Sequence, residues 1–288
     1  MKTARNNWLA MLLFPIALGC ASSANATWTF FGPIVGGDAY LNVTPNVVGD
    51  PGLHVSGAYA ASGSASIGAG FASGTKWVTD ARSMLQYDAA GLGIDTESGD
   101  SAPANAFDNV GKTEAMLLDF SSSVVLTSIG IGYVSGDSDI SLFRYIGPGS
   151  PPPSSSTSPT LGGVGANLSS MIAVGWELVG NYGNLLVDTV ADPNYNPVNS
   201  TGKGSSWWLI TAYNANYGAA TIGAVDQGND YFKVYAVAAN KCGIDCGPVK
   251  VPEPATITLL AIGLLGVWQA RRPRLAPILR GPVQSAPA

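Results

Sequence analysis

Ile129-Gly130-Ile131-Gly132-Tyr133 decides the fold class. Large apolar side chains alternate with glycine, so the period is two. That period sends Ile129, Ile131 and Tyr133 to one face of a β-strand. A helix would scatter them around its axis, and each glycine inside it would cost about 1 kcal/mol relative to alanine. Working outward, the same alternation recurs. Trp176, Leu178 and Tyr182 make a second face. Trp207, Leu209 and Tyr213 oppose Trp208, Ile210 and Ala212 on a third strand. Phe232, Val234, Ala236 and Ala238 make a fourth. Further strands are expected near residues 28–35, 53–60, 76–87, 114–120 and 140–146, with Gly, Pro, Asn and Asp between them as turn signals. About ten short strands predict an all-β chain: a single β-sandwich or jelly-roll-like domain over residues 27–240.

Charge is scarce. The 288 residues include 14 Lys+Arg and 19 Asp+Glu, or 11% charged, under half the usual share of about a quarter. With 46% apolar residues, 36 Gly and 19 Pro, small neutral residues have taken the place of charge. The net charge of −5 leaves no basic surplus for nucleic acid. The apolar content excludes a polytopic membrane protein, and the charge content excludes a coiled coil. Between Thr27 and Gly247, seven basic residues face eighteen acids, so the body carries −11 while the ends are basic. Such a body repels anionic polymers. It suits neutral glycans, or divalent cations bridging to an anionic matrix.

Residues 1–26 read as a signal peptide, which forms an N-terminal signal helix. Lys2 and Arg5 precede an apolar run from Trp8 to Ala21, and Ala24-Asn25-Ala26 is a cleavage site, so the mature chain would begin at Thr27. Translocon and signal peptidase are the implied partners. Two readings compete: an uncleaved anchor, and a lipoprotein signal at Ala17-Leu18-Gly19-Cys20 with the leucine one place out of order.

The C-terminal end has three parts. Pro252-Glu253-Pro254 breaks any preceding element. Ala255 to Ala270 carries no charge; as a short hydrophobic helix it would run about 24 Å, less than a bilayer core of roughly 30 Å. Arg271, Arg272 and Arg274 form a basic stop on the cytoplasmic side. A plain single-span anchor with a chance Pro-Glu-Pro is the competing reading.

This pattern resembles the PEP-CTERM sorting signal of Gram-negative bacteria. The resemblance implies export, a precursor held in the inner membrane by its C-terminal span, processing by an exosortase-type membrane transpeptidase, and delivery to the cell surface or exopolysaccharide matrix. It places the signal at 252–274. Proteins with the signal usually end soon after the basic cluster, whereas Leu275 to Ala288 adds a Pro-rich tail here, expected to be disordered. In the body, Asp108-Asn109-Val110-Gly111-Lys112-Thr113-Glu114, Gly136-Asp137-Ser138-Asp139-Ile140, Ser205-Ser206-Trp207-Trp208-Leu209-Ile210 and Asn229-Asp230-Tyr231-Phe232-Lys233-Val234 resemble the exosortase-dependent surface protein family over about Leu85 to Ala239. That family brings no catalytic activity with it. The resemblance points to a structural or adhesive role in exopolysaccharide or biofilm.

Residues 147–170, rich in Pro, Ser and Gly and free of charge, read as a long surface loop, with an interdomain linker as the alternative. Residues 241–251 form a linker holding Cys242 and Cys246, whose C-x3-C spacing in an oxidising envelope favours a disulfide.

Enzymatic signatures are lacking. The single histidine is His54, no G-x-S-x-G elbow is present, Gly111-Lys112-Thr113 has Ala106 where a phosphate loop needs glycine, and no zinc-ligand cluster occurs. The expectation is therefore a non-enzyme. The alternative is a secreted glycan-binding module, or a glycoside hydrolase working through two cleft carboxylates among Glu97, Glu114, Glu177 and the aspartates. Acid-rich loops are the better candidates. Asp95 to Asp100 holds three acids, Asp137 and Asp139 follow Gly136, and Asp226, Asn229 and Asp230 alternate with a glycine turn. These side chains suit a structural Ca²⁺, which takes six to eight oxygen ligands. Ordinary Asx turns are the competing reading. Trp207 and Trp208 are candidate glycan contacts; as neighbours in a strand they must face opposite sides.

Overall fold

The structure, a computed structural model, describes residues 26–30, 35–38, 41–46, 48–61, 70–79, 84–95, 105–147, 161–187 and 195–242. In chain order its strands are β1 (Ala26–Thr29), β2 (Val35–Asp38), β3 (Leu41–Val43), β4 (Leu53–Ala61), β5 (Lys76–Val78), β6 (Met84–Asp88), β7 (Gly91–Asp95), β8 (Phe107–Asp108), β9 (Glu114–Val134), β10 (Ile140–Tyr145), β11 (Trp176–Tyr182), β12 (Asn196–Pro197), β13 (Ser205–Ala212) and β14 (Tyr231–Lys241). Among the described residues a short α-helix, α1 (Leu168–Ala173), precedes β11, and a single 3-10 turn, Ala215–Tyr217, follows β13. The all-β expectation holds. The strands join into one large antiparallel sheet, with the path β11-β10-β13-β9-β14-β7-β6-β2 and the remaining strands branching from it.

The opening motif belongs to the strand that makes this continuity. Residues 114–120 and 129–133, expected as separate strands, are the two ends of the 21-residue β9. Its first half pairs with β4 and β13, and its second half pairs with β14. Between them lie Ser121, Ser122 and Ser123, where the β13 register jumps from Trp207↔Asp119 to Ser205↔Val124. The bulge bends the strand. Residues from both halves, among them Leu118, Phe120, Ile129 and Ile131, enter the same core. Gly132 is glycine for a reason of space: a Cβ there would lie 1.9 Å from the carbonyl oxygen of Ala90.

That first core includes the fully buried Trp28 and Trp208. Trp28 meets Phe120 edge to face at 4.9 Å and donates its indole N–H to Pro51 O. A second core on another sheet face packs Trp77, Phe143, Trp176, Leu209 and Tyr217. Here the expected loop over 147–170 ends early. Leu161, Val164 and Ala166 are buried in this core. Trp77 N–H donates to Val164 O at 2.8 Å, and Ala166 N–H to Thr75 O at 2.9 Å. Three closely spaced apolar residues among glycines let this backbone lie flat on Trp77, and Asn167 then caps α1 by accepting from Ser170 N–H at 2.9 Å. Among the described residues no helix is long and apolar enough to cross a membrane. Residues 1–25 of the expected signal peptide, the sorting signal, the tail, Cys246, residues 148–160 and most of the Asp95–Asp100 loop lie outside the described residues, while Ala26, the last residue of that expected peptide, begins β1.

Candidate metal centre

The chain turns sharply where β9 ends. Gly136 adopts φ +82°, a conformation open to glycine at little cost. Asp137 then bridges in parallel to Asp230, and Tyr231 N–H donates to Asp137 O at 3.0 Å. This places the loop leading into β10 against the residue just before β14. Asp137, Asp139 and Asp230 come together there, each offering a carboxylate oxygen within 4.8 Å of the others. Asp139 and Asp230 are buried, at 0% and 1% exposure, and Asp137 is half-buried.

Backbone and amide donors orient the carboxylates. Asp139 Oδ1 accepts from Asn184 N–H at 2.7 Å, and Oδ2 from Asp226 N–H at 2.8 Å. Asp230 Oδ1 accepts from Asp139 N–H at 2.9 Å, and Oδ2 from Asn109 Nδ2 at 2.6 Å. Asn109 Oδ1 in turn accepts Asp230 N–H at 3.0 Å. Asp137 Oδ1 takes Ser138 N–H at 2.7 Å. Four stretches of chain, around residues 109, 137–139, 184 and 226–230, thus converge on these side chains. Asn229 Oδ1 is enclosed and accepts no hydrogen bond.

The electrostatics are unbalanced. No lysine or arginine pairs with these acids among the described residues. Burial pushes Asp139 up to about 6, against the two N–H groups it accepts and with help from Asp137 and Asp226. Burial pushes Asp230 up to about 9, and the charges of Asp139, Asp137 and Asp226 add to the shift. Burial also raises the Tyr213 hydroxyl, with Asp139 and Asp230 adding repulsion. Such a cluster needs positive charge, supplied by a proton or a cation. The donor set is all oxygen, which suits hard ions such as Ca²⁺ or Mg²⁺ and not zinc or copper. Each carboxylate oxygen that accepts one N–H keeps a second lone pair. The residues therefore fit a divalent cation whose coordination is completed by water.

The other candidate residues fall elsewhere. Asp226 contributes its backbone N–H, while its exposed carboxylate accepts Gly228 N–H. Trp208 is fully buried and donates its indole N–H to Ser205 O; Trp207 keeps 9% exposure at the margin of the second core. Cys242 N–H donates to Ser123 O at 3.0 Å. Glu114 is buried and accepts Asp108 N–H. Glu177 is engaged by Arg144 at 2.6 Å and Lys203 at 2.7 Å. Sequence reasoning missed Asn109 and Asn184, and it missed that His54 stands opposite Asp119 across β4 and β9. No local signal marks these pairings, which are set by strand register.

A family model described as the PEP-CTERM protein-sorting motif matches residues 250–272. The chain therefore carries a C-terminal sorting signal of this type, which directs an exported protein to an exosortase-type processing partner at the cell envelope. No curated protein and no solved structure matches the chain.

Proposed function

We infer that this protein is delivered to the cell surface or extracellular matrix and serves there as a structural or adhesive component of exopolysaccharide or biofilm. The sorting motif at residues 250–272 carries the reading. The precursor is held in the membrane by the apolar run after Pro254 and halted by Arg271, Arg272 and Arg274. An exosortase-type transpeptidase then releases the body, a sheet folded on itself in the manner of a sandwich. Cys242 and Cys246 close a small disulfide loop at its C-terminal end.

Asp137, Asp139 and Asp230 hold a structural Ca²⁺ in the body, with the enclosed Oδ1 of the neighbouring Asn229, which accepts no hydrogen bond, as a further candidate donor. When bound, the ion supplies the positive charge that the buried carboxylates lack. The chain's own part is to hold the carboxylates in place through Asn109, Asn184 and the Asp226 backbone. Asp226 can add its carboxylate only by turning from Gly228.

Replacing Glu253 and both flanking prolines by alanine tests the sorting reading. The altered protein should remain in the membrane fraction at precursor length. Normal release of that variant to the surface would overturn the reading.

A further inference from the structure

A row of side chains crosses one sheet face where its cover ends. Asn42 of β3 stands opposite His54 of β4, His54 opposite Asp119 of β9, and Asp119 opposite Trp207 of β13. Residues directly opposite in antiparallel neighbours project to the same side. An amide, an imidazole, a carboxylate and an indole therefore form one line. With strands about 4.8 Å apart, three steps make a row roughly 14 Å long.

The row lies at an opening. One row inward, Ser56, Leu117 and Leu209 are at most 2% exposed beneath the second core. In the row itself Asn42 is exposed, His54 and Asp119 are half-buried, and Trp207 keeps 9% exposure. One row outward the residues are small: Gly52 N–H donates to Ser121 Oγ at 3.0 Å.

Asp119 stands out. Its carboxylate is half-buried yet accepts no hydrogen bond among the described residues. Burial pushes it up to about 6, and only the charge of His54 works against that. A carboxylate left this way costs stability that a leucine at the same position would not. Hydroxyl donors from outside would offset that cost. The net charge of −11 between Thr27 and Gly247 disfavours an anionic source of them.

We propose that the row Asn42–His54–Asp119–Trp207 binds a strand of neutral polysaccharide. Sugar hydroxyls donate to Asp119 and exchange hydrogen bonds with Asn42, His54 stays packed within the row, and a C–H edge of one ring meets the small part of Trp207 that the second core leaves uncovered. The inference rests on the matrix location for the supply of ligand. Its test does not depend on that location.

The test is affinity electrophoresis of the purified full-length protein in native gels containing hydroxyethylcellulose, xylan or galactomannan, with alginate as the anionic control. At least one neutral polymer should retard the protein, and alginate should not. Asp119→Leu should weaken retardation about tenfold or more, the scale of losing a hydrogen bond to a charged group, and Asn42→Ala about fivefold, the scale of losing a neutral one. Asp119→Leu should melt at or above the wild-type temperature, which separates lost binding from lost folding. Absence of retardation on all three neutral polymers would overturn the proposal. So would retardation by alginate alone, or retardation that Asp119→Leu leaves unchanged. None of these outcomes bears on how the C-terminus is processed, so the sorting reading fails or stands separately.

Discussion

Asp230 holds the backbone of Asp139: the Asp139 N–H donates to Asp230 Oδ1 at 2.9 Å across 91 positions of sequence. The Asp139 carboxylate then holds Asn184 and Asp226 by their N–H groups. One buried pair thus ties the starts of β10 and β14 to two loops, and the calcium proposal rests on this arrangement.

Calcium should raise the melting temperature of the protein over that in EDTA. Asp230→Asn keeps the shape but removes a charge, so it should abolish most of the calcium-dependent shift. Identical midpoints with calcium and with EDTA would remove the metal from the account.

The metal-free protein should lose stability as pH rises. Asp139 and Asp230 have folded-state values of about 6 and about 9, above the ordinary 3.8. Between those limits the native state binds more protons than the unfolded state, so unfolding free energy falls with increasing pH. The loss should begin near pH 4, be steepest between pH 4 and 6 where both carboxyls contribute, and continue more gently toward pH 9 where Asp230 alone contributes. Saturating calcium should flatten this slope. Urea titrations in EDTA and in calcium at several pH values measure both.

Glu177 gives the opposite sign. Although burial works against it, hydrogen bonds from Lys203 and Arg144, with their charges, hold its carboxyl below the ordinary value. Its contribution is present at neutral pH and fades as pH falls through that lowered value. The three side chains are 18% to 29% exposed, so Glu177→Gln should cost only about 1 kcal/mol. The difference should vanish in acid.

Gly132→Ala should be severe. The new Cβ would meet Ala90 O at 1.9 Å and Tyr235 Cβ at 3.1 Å, and the first of these is backbone that cannot step aside cheaply. A loss of about 3 kcal/mol is expected in denaturant titration, at the upper end for overpacking.

The alternation of Ile129 and Ile131 with glycine was legible as a strand, because period two is local. That this strand is continuous with residues 114–120 was not. Ser121, Ser122 and Ser123 look like a turn in sequence, and only pairing with β13 and β14 carries the strand through them. The Asp137-Ser138-Asp139 and Asp226–Asp230 loops were legible as cation candidates from composition. Their union was not, since the β9–β14 pairing that brings them together links distant segments. Leu161, Val164 and Ala166 were hidden in a stretch whose average composition argues for a loop; their burial depends on Trp77, which is remote in sequence. The sorting signal was legible throughout, because its chemistry lies in contiguous residues.

Intact-mass spectrometry of the protein recovered separately from membranes, cell surface and matrix tests the central claim most directly. The account predicts a surface and matrix form that begins at Thr27 and ends near Pro252, without Arg271, beside a longer membrane-bound precursor. Retention of the chain through Ala288 in every fraction would contradict it.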